Sequence, residues 1–158
     1  MQIIQPHYHA IARTAQDYER MAMSGVVAVA EPAFWAGFDR LYPETFIEPT
    51  VLGVGETGLH KSTKNEIASL EAHVDLAMKH GQLVLIHTPH LADKAHGTKK
   101  VLEVLAGMKV DPERIWIDHV EEQTIKPCLD AGYWVGFTLY PITKCSPKRA
   151  CDMLEKYG

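Results

Sequence analysis

Apolar residues in this chain come in short runs, and nearly every run is followed by a stretch of helical periodicity. Ile3 and Ile4 lead into Pro6-His7-Tyr8-His9, a short strand and its end. Thr14 has the character of a helix N-cap, with Asp17 three residues on, apolar positions at Ala15, Tyr18 and Ala22, and a stop at Gly25. "VVAVAEP", ending at Pro32, and "VLGVGETG", after Pro49, are two further runs of strand length. Asn65 to His80 reads as a helix, because Ile67, Leu70, Val74 and Ala77 share one face and Gly81 closes it. "QLVLIHTP" is a buried strand, and Thr98 is a candidate cap for the helix that turns Val101, Leu102 and Leu105 inward. Asp111-Pro112 is a turn, "RIWIDHV" a strand, Thr124 to Ala131 a short helix stopped by Gly132, and "YWVGFTLYP" the sixth strand. Ser146 and Pro147 open the last helix, with apolar positions at Ala150, Met153, Leu154 and Tyr157.

Short, wholly apolar strands alternating with helices predict a parallel sheet covered by helices. Polar residues at the C-terminal ends of such strands form the site. Here His7 and His9 end the first strand, Glu31 the second, Glu56 the third, His87 the fourth and His119 the fifth. Residues i and i+2 of a strand point to one face, so His7 and His9 can grip one divalent ion together. His87 and His119 add nitrogen ligands, and Glu56 an oxygen able to bridge two ions. This mixture suits zinc, manganese or a similar metal, which makes hydroxide from water near neutral pH. Alternation turns Asp118 away from His119, as a packing or outer partner rather than a ligand. His60 and His90 lie just beyond strand ends and line the pocket, whereas His73, His80 and His96 sit on helices or loops in solvent. Phe34, Trp35 and Phe38 read as packing.

A length of 158 residues is a single domain, 1–158, with room for a real core. A net charge of −4 argues against a basic nucleic-acid patch, although a bound metal can supply positive charge locally. No stretch has the roughly 18 apolar residues of a membrane span, and no signal peptide is visible. Cys128, Cys145 and Cys151 are odd in number and outside CxxC spacing, as free thiols in a reducing cytoplasm would be.

The order His7-x-His9, "VGETGLH", "LIHTPH" and "IDHVEE" resembles the TatD-like metal-dependent hydrolases of the amidohydrolase superfamily, most specifically at Gly55-Glu56-Thr57-Gly58-Leu59. "EPAFW", "HTPH" and "GFTLYPITKCSP" resemble a TatD subgroup found in bacterial ebo-type operons. The resemblance implies an α/β, TIM-barrel-like (β/α) fold with one or two divalent ions, Zn, Mn or Mg. His7 and His9 would hold one metal, Glu56 would bridge, and His87 and His119 would hold the second. The implied activity is hydrolysis of a phosphodiester, in DNA or a small molecule, or of an ester, with Glu56, His60 and His90 as catalytic candidates. The chain departs from the family at Gln5, where an aspartate is usual, and at His60, which follows the glycine-leucine pair. It lacks room for about two βα units, including the last strand with its metal-binding aspartate. The expected fold is therefore an incomplete barrel of about six strands, whose open edges favour a homo-oligomer. The alternative to a nuclease-like hydrolase is a metal-binding or interaction protein with little turnover.

Overall fold

Helix caps set the element boundaries in the computed structural model, which describes residues 3–5, 14–29, 52–89, 93–139 and 144–158. The order is β1 (Ile3–Gln5), α1 (Ala15–Met23), β2 (Val26–Val29), β3 (Gly53–Gly58), α2 (Lys64–His80), β4 (Leu83–His87), α3 (Lys94–Ala106), a 3-10 turn (Pro112–Arg114), β5 (Ile115–Asp118), α4 (Ile125–Asp130), β6 (Trp134–Val135) and α5 (Pro147–Tyr157). Thr14 caps α1 in a reciprocal capping box with Asp17. Thr63 does the same for α2 with Glu66, and Gly81 ends that helix at φ 65°, in the left-handed region that glycine enters without a Cβ penalty. Ser146 accepts from the Arg149 N–H at the start of α5, where Pro147 occupies the first turn.

Met1–Val51 and Leu52–Gly158 form two compact units. In the first, β1 and β2 pair in parallel, and α1 joins them. In the second, β3, β4, β5 and β6 lie side by side in that order, every neighbouring pair parallel. This is the α/β, helix-after-strand architecture that the alternation of apolar runs predicts, with six strands among the described residues.

The core of the second unit follows from strand alternation. Val84 and Ile86 of β4, with Ile115 and Ile117 of β5, are fully buried against Leu70, Val74 and Ala77 of α2 and Val101 and Leu105 of α3. Leu85 and Trp116, on the other face, are half-buried.

Three sequence readings need correction. Asp93, not Thr98, caps α3, its carboxylate accepting from the His96 N–H at 2.9 Å; Thr98 lies buried inside the helix. The sixth strand is only two residues long; past it Gly136 still donates to the Ile117 carbonyl at 2.9 Å, and Leu139 and Cys145 bridge to each other rather than to β5. Leu154 is 55% exposed, since α5 turns Ala150 and Met153 inward instead.

Candidate metal centre

The register of the second sheet brings its chemistry to one edge. Gly58 pairs with His87, and His87 with Asp118, so β3, β4 and β5 end in a row. Glu56 reaches that edge through an irregularity. Between Val54 and Thr57 the register shifts, with one more residue on β3 than on β4. Such a bulge re-aims the side chain it carries. Simple alternation does not foresee this.

His119 is the first residue beyond β5 and has φ 62°, in the left-handed region, which a non-glycine residue enters only when its surroundings hold it there. Those surroundings are visible. The Thr88 hydroxyl lies 3.1 Å from the carbonyls of both Asp118 and His119. The Asp118 carboxylate accepts from the His119 backbone N–H at 2.8 Å, and the Val120 N–H donates to the Gly136 carbonyl at 3.0 Å. This turn cancels the alternation argument for Asp118. The ligand atoms of Glu56, Asp118 and His119 lie within 4.8 Å of one another, so Asp118 stands among them and not behind the sheet.

Geometry orients the imidazole. His119 Nε2 is 3.0 Å from Glu56 Oε1, while Nδ1 is hydrogen-bonded to the Thr138 hydroxyl and lies 3.6 Å from Asp118 Oδ2. Partners on both ring nitrogens fix the orientation of the ring, as outer partners do for a metal-bound histidine. His119 and Asp118 are buried, and Glu56 is partly open.

His87 stands beside this trio, its ring centroid 6.4 Å from that of His119. Burial pushes its pKa down, opposed by the Glu56 carboxylate and assisted by the His119 and His60 charges. That direction favours the neutral imidazole, the form that can ligate. His60 is exposed near His87. His7, His9, Glu31 and His90 lie outside the described residues. His73, His80 and His96 are exposed on helices.

Lys144 went unnoticed in the sequence. It lines a small cavity beside His119 together with Thr138, Glu121 and Lys94. Burial pushes its ammonium pKa down, while Glu56 and Asp118 oppose that shift. Only the fold reveals it, because it lies in an irregular segment with no strand-end signal.

The donor set suits a metal. Two carboxylates and one imidazole, with a second imidazole alongside, match a borderline-hard divalent cation such as zinc or manganese and not a soft, thiolate-seeking one. Carboxylates and imidazoles gathered at the C-terminal edge of a parallel sheet lie where such folds build their sites.

Comparison with known proteins narrows this. Residues 6–155 match the model of the TatD related DNase family, and the chain belongs to that family. It is 29% identical over 134 residues to an uncharacterised metal-dependent hydrolase of Methanocaldococcus jannaschii, an alignment covering 85% of this chain and 53% of that protein. The chain thus spans about half the length of that curated relative. A TatD-like protein from Archaeoglobus fulgidus shares the fold, with a TM-score of 0.61 at 22% identity over 99% of this chain and 71% of the other. Among the described residues, no helix is long and apolar enough to cross a membrane.

Proposed function

We propose that this chain is a divalent-metal-dependent hydrolase that cleaves a phosphodiester, in DNA or a smaller molecule. The observation that carries the reading is the convergence of Glu56, Asp118 and His119 within 4.8 Å at the edge where three parallel strands end. Membership of the TatD related DNase family supports the substrate class.

In this reading Glu56, Asp118 and His119 would hold one ion, of zinc, manganese or magnesium, with His87 as a further donor. His7 and His9, which the family resemblance would add as ligands, lie outside the described residues. When bound, the metal supplies a water whose pKa falls to about 7. The chain's own residues do the rest. Nε2 of His119 faces the Glu56 carboxylate and would give up its proton to take the metal, while the Thr138 hydroxyl holds the ring at Nδ1. His60, exposed beside His87, is the candidate to accept the proton released as water attacks, and His90 is the second. Glu56 orients the attacking water.

Purified protein, supplied in turn with Zn²⁺, Mn²⁺ and Mg²⁺, should hydrolyse bis(p-nitrophenyl) phosphate and DNA. Chelator should abolish the activity. His119→Ala should lower it by about 100-fold or more, the upper end of what even outer-shell partners cost. Activity that survives both treatments would contradict the assignment.

A further inference from the structure

We propose that Lys144 is the anion-recognition residue of this site, its ammonium binding a non-bridging oxygen of a phosphoryl group on the substrate. This rests on the hydrolase reading above and adds to it the residue that selects charged substrates over neutral ones.

The first ground is placement. Lys144 lines the cavity beside His119, with the Glu56 and Asp118 carboxylates in electrostatic reach. The second is rigidity. Lys144 has φ 64°, a conformation that a non-glycine residue keeps only where neighbours enforce it. Arg149 enforces it. Its Nη1 donates to the Lys144 carbonyl at 2.7 Å, while the rest of the guanidinium is clamped by both carboxylate oxygens of Glu122 and reaches Glu121 at 3.4 Å. The Cys145 N–H, donating to the Thr138 carbonyl at 3.3 Å, ties the next residue to the segment that carries the partner of His119.

The third ground is charge. The other ammonium on the cavity, Lys94, is engaged by Glu121 at 3.2 Å with both side chains largely buried. Lys144 faces carboxylates that a divalent ion would claim. Once they bind metal, two carboxylates, one divalent ion and one ammonium leave a net positive charge in a partly buried space. That balance favours an anion, and a phosphoryl oxygen beside the metal meets it. A neutral ester leaves the ammonium uncompensated.

The test uses zinc-loaded protein and needs no turnover. Inorganic phosphate is titrated calorimetrically into wild type, Lys144→Met and Lys144→Arg, with zinc content measured for each. The expected result is unchanged zinc, phosphate affinity about ten- to a hundred-fold weaker in Lys144→Met, the range of one charge-assisted hydrogen bond, and near wild-type affinity in Lys144→Arg. In parallel, Lys144→Met should raise KM for bis(p-nitrophenyl) phosphate several-fold more than KM for p-nitrophenyl acetate. Equal phosphate affinity in all three proteins would overturn the proposal. So would loss of zinc from Lys144→Met, which would make the residue a support for the metal ligands. If no substrate is hydrolysed yet phosphate binding still depends on Lys144, the hydrolase reading falls and this one stands. Normal hydrolysis with Lys144-independent affinity is the reverse.

Discussion

Gly58→Ala puts the packing of the site to a direct test. Gly58 pairs with His87 across β3 and β4. A Cβ at Gly58 would lie 2.9 Å from His87 Cδ2 and 3.0 Å from His87 Nε2, and closer still to the His87 carbonyl oxygen. Ordinary contact begins at 3.4 Å, so the ring must retreat by about 0.5 Å and the backbone by more. Backbone oxygen has no rotamer to change, so the two strands must part. Overpacking of this kind costs about 1–3 kcal/mol, and the upper part of that range applies because main chain is involved. For a chain of this length a loss of 2–3 kcal/mol lowers Tm by roughly 5–10 °C. A shift of that size also exceeds the roughly 0.2 Å tolerance of a metal–ligand distance, so zinc retention should fall as well. Gly107→Ala is the control. Its new Cβ would meet nothing nearer than 3.4 Å, and Gly107 already has φ −79°, so the change should be neutral or stabilising by up to about 1 kcal/mol. Calorimetric melting and elemental analysis read both effects. A Gly58→Ala protein with wild-type Tm and zinc content would refute the claim that this glycine exists to admit His87.

Two further outcomes are expected. Hydrogen bonds from Arg149 hold the Glu122 carboxyl down to about 2, so its contribution is present above the ordinary carboxylate pKa of about 4.5 and is lost as pH falls through about 2. Because the Glu122 side chain is half exposed, that contribution is about 1 kcal/mol or less, and the Tm difference between wild type and Glu122→Gln should close between pH 5 and pH 2; a constant difference would count against the pairing. Among the thiols, burial pushes Cys128 up to about 12 and raises Cys145, whereas Cys151 is exposed. Native protein should therefore release one equivalent with a disulfide reagent at pH 8 and denatured protein three, and fast native release of three would show that the core is open.

Much of this arrangement is legible in the chain, for reasons that differ by residue. The order of strands and helices follows from apolar runs and caps, because Thr14 with Asp17 and Gly81 act locally. His87 and His119 are visible as polar residues ending apolar strands. What escapes is whatever depends on departures from regular geometry. Asp118 joins the site because His119 turns into the left-handed region, and alternation rules hold only while the strand continues. Glu56 owes its aim to an irregular register. Lys144 owes its position to Arg149 and Glu122, residues that carry no signal in a linear reading. Thr98 misleads because it has the chemistry of a cap, while Asp93, five residues earlier, does the capping. The second glycine of the Gly55–Leu59 motif acquires a physical meaning only beside its neighbour: Gly58 leaves room for His87.

The most direct test of the metal centre is an anomalous-difference map from crystals soaked in Zn²⁺, with data collected on both sides of the zinc edge. The expected result is a peak bonded to a Glu56 carboxylate oxygen and to His119 Nε2 at about 2.0–2.2 Å, the usual range for carboxylate and imidazole ligands, with Asp118 or His87 completing the contacts. A map with no peak at that edge of the sheet, or with zinc bound only elsewhere on the chain, would contradict it.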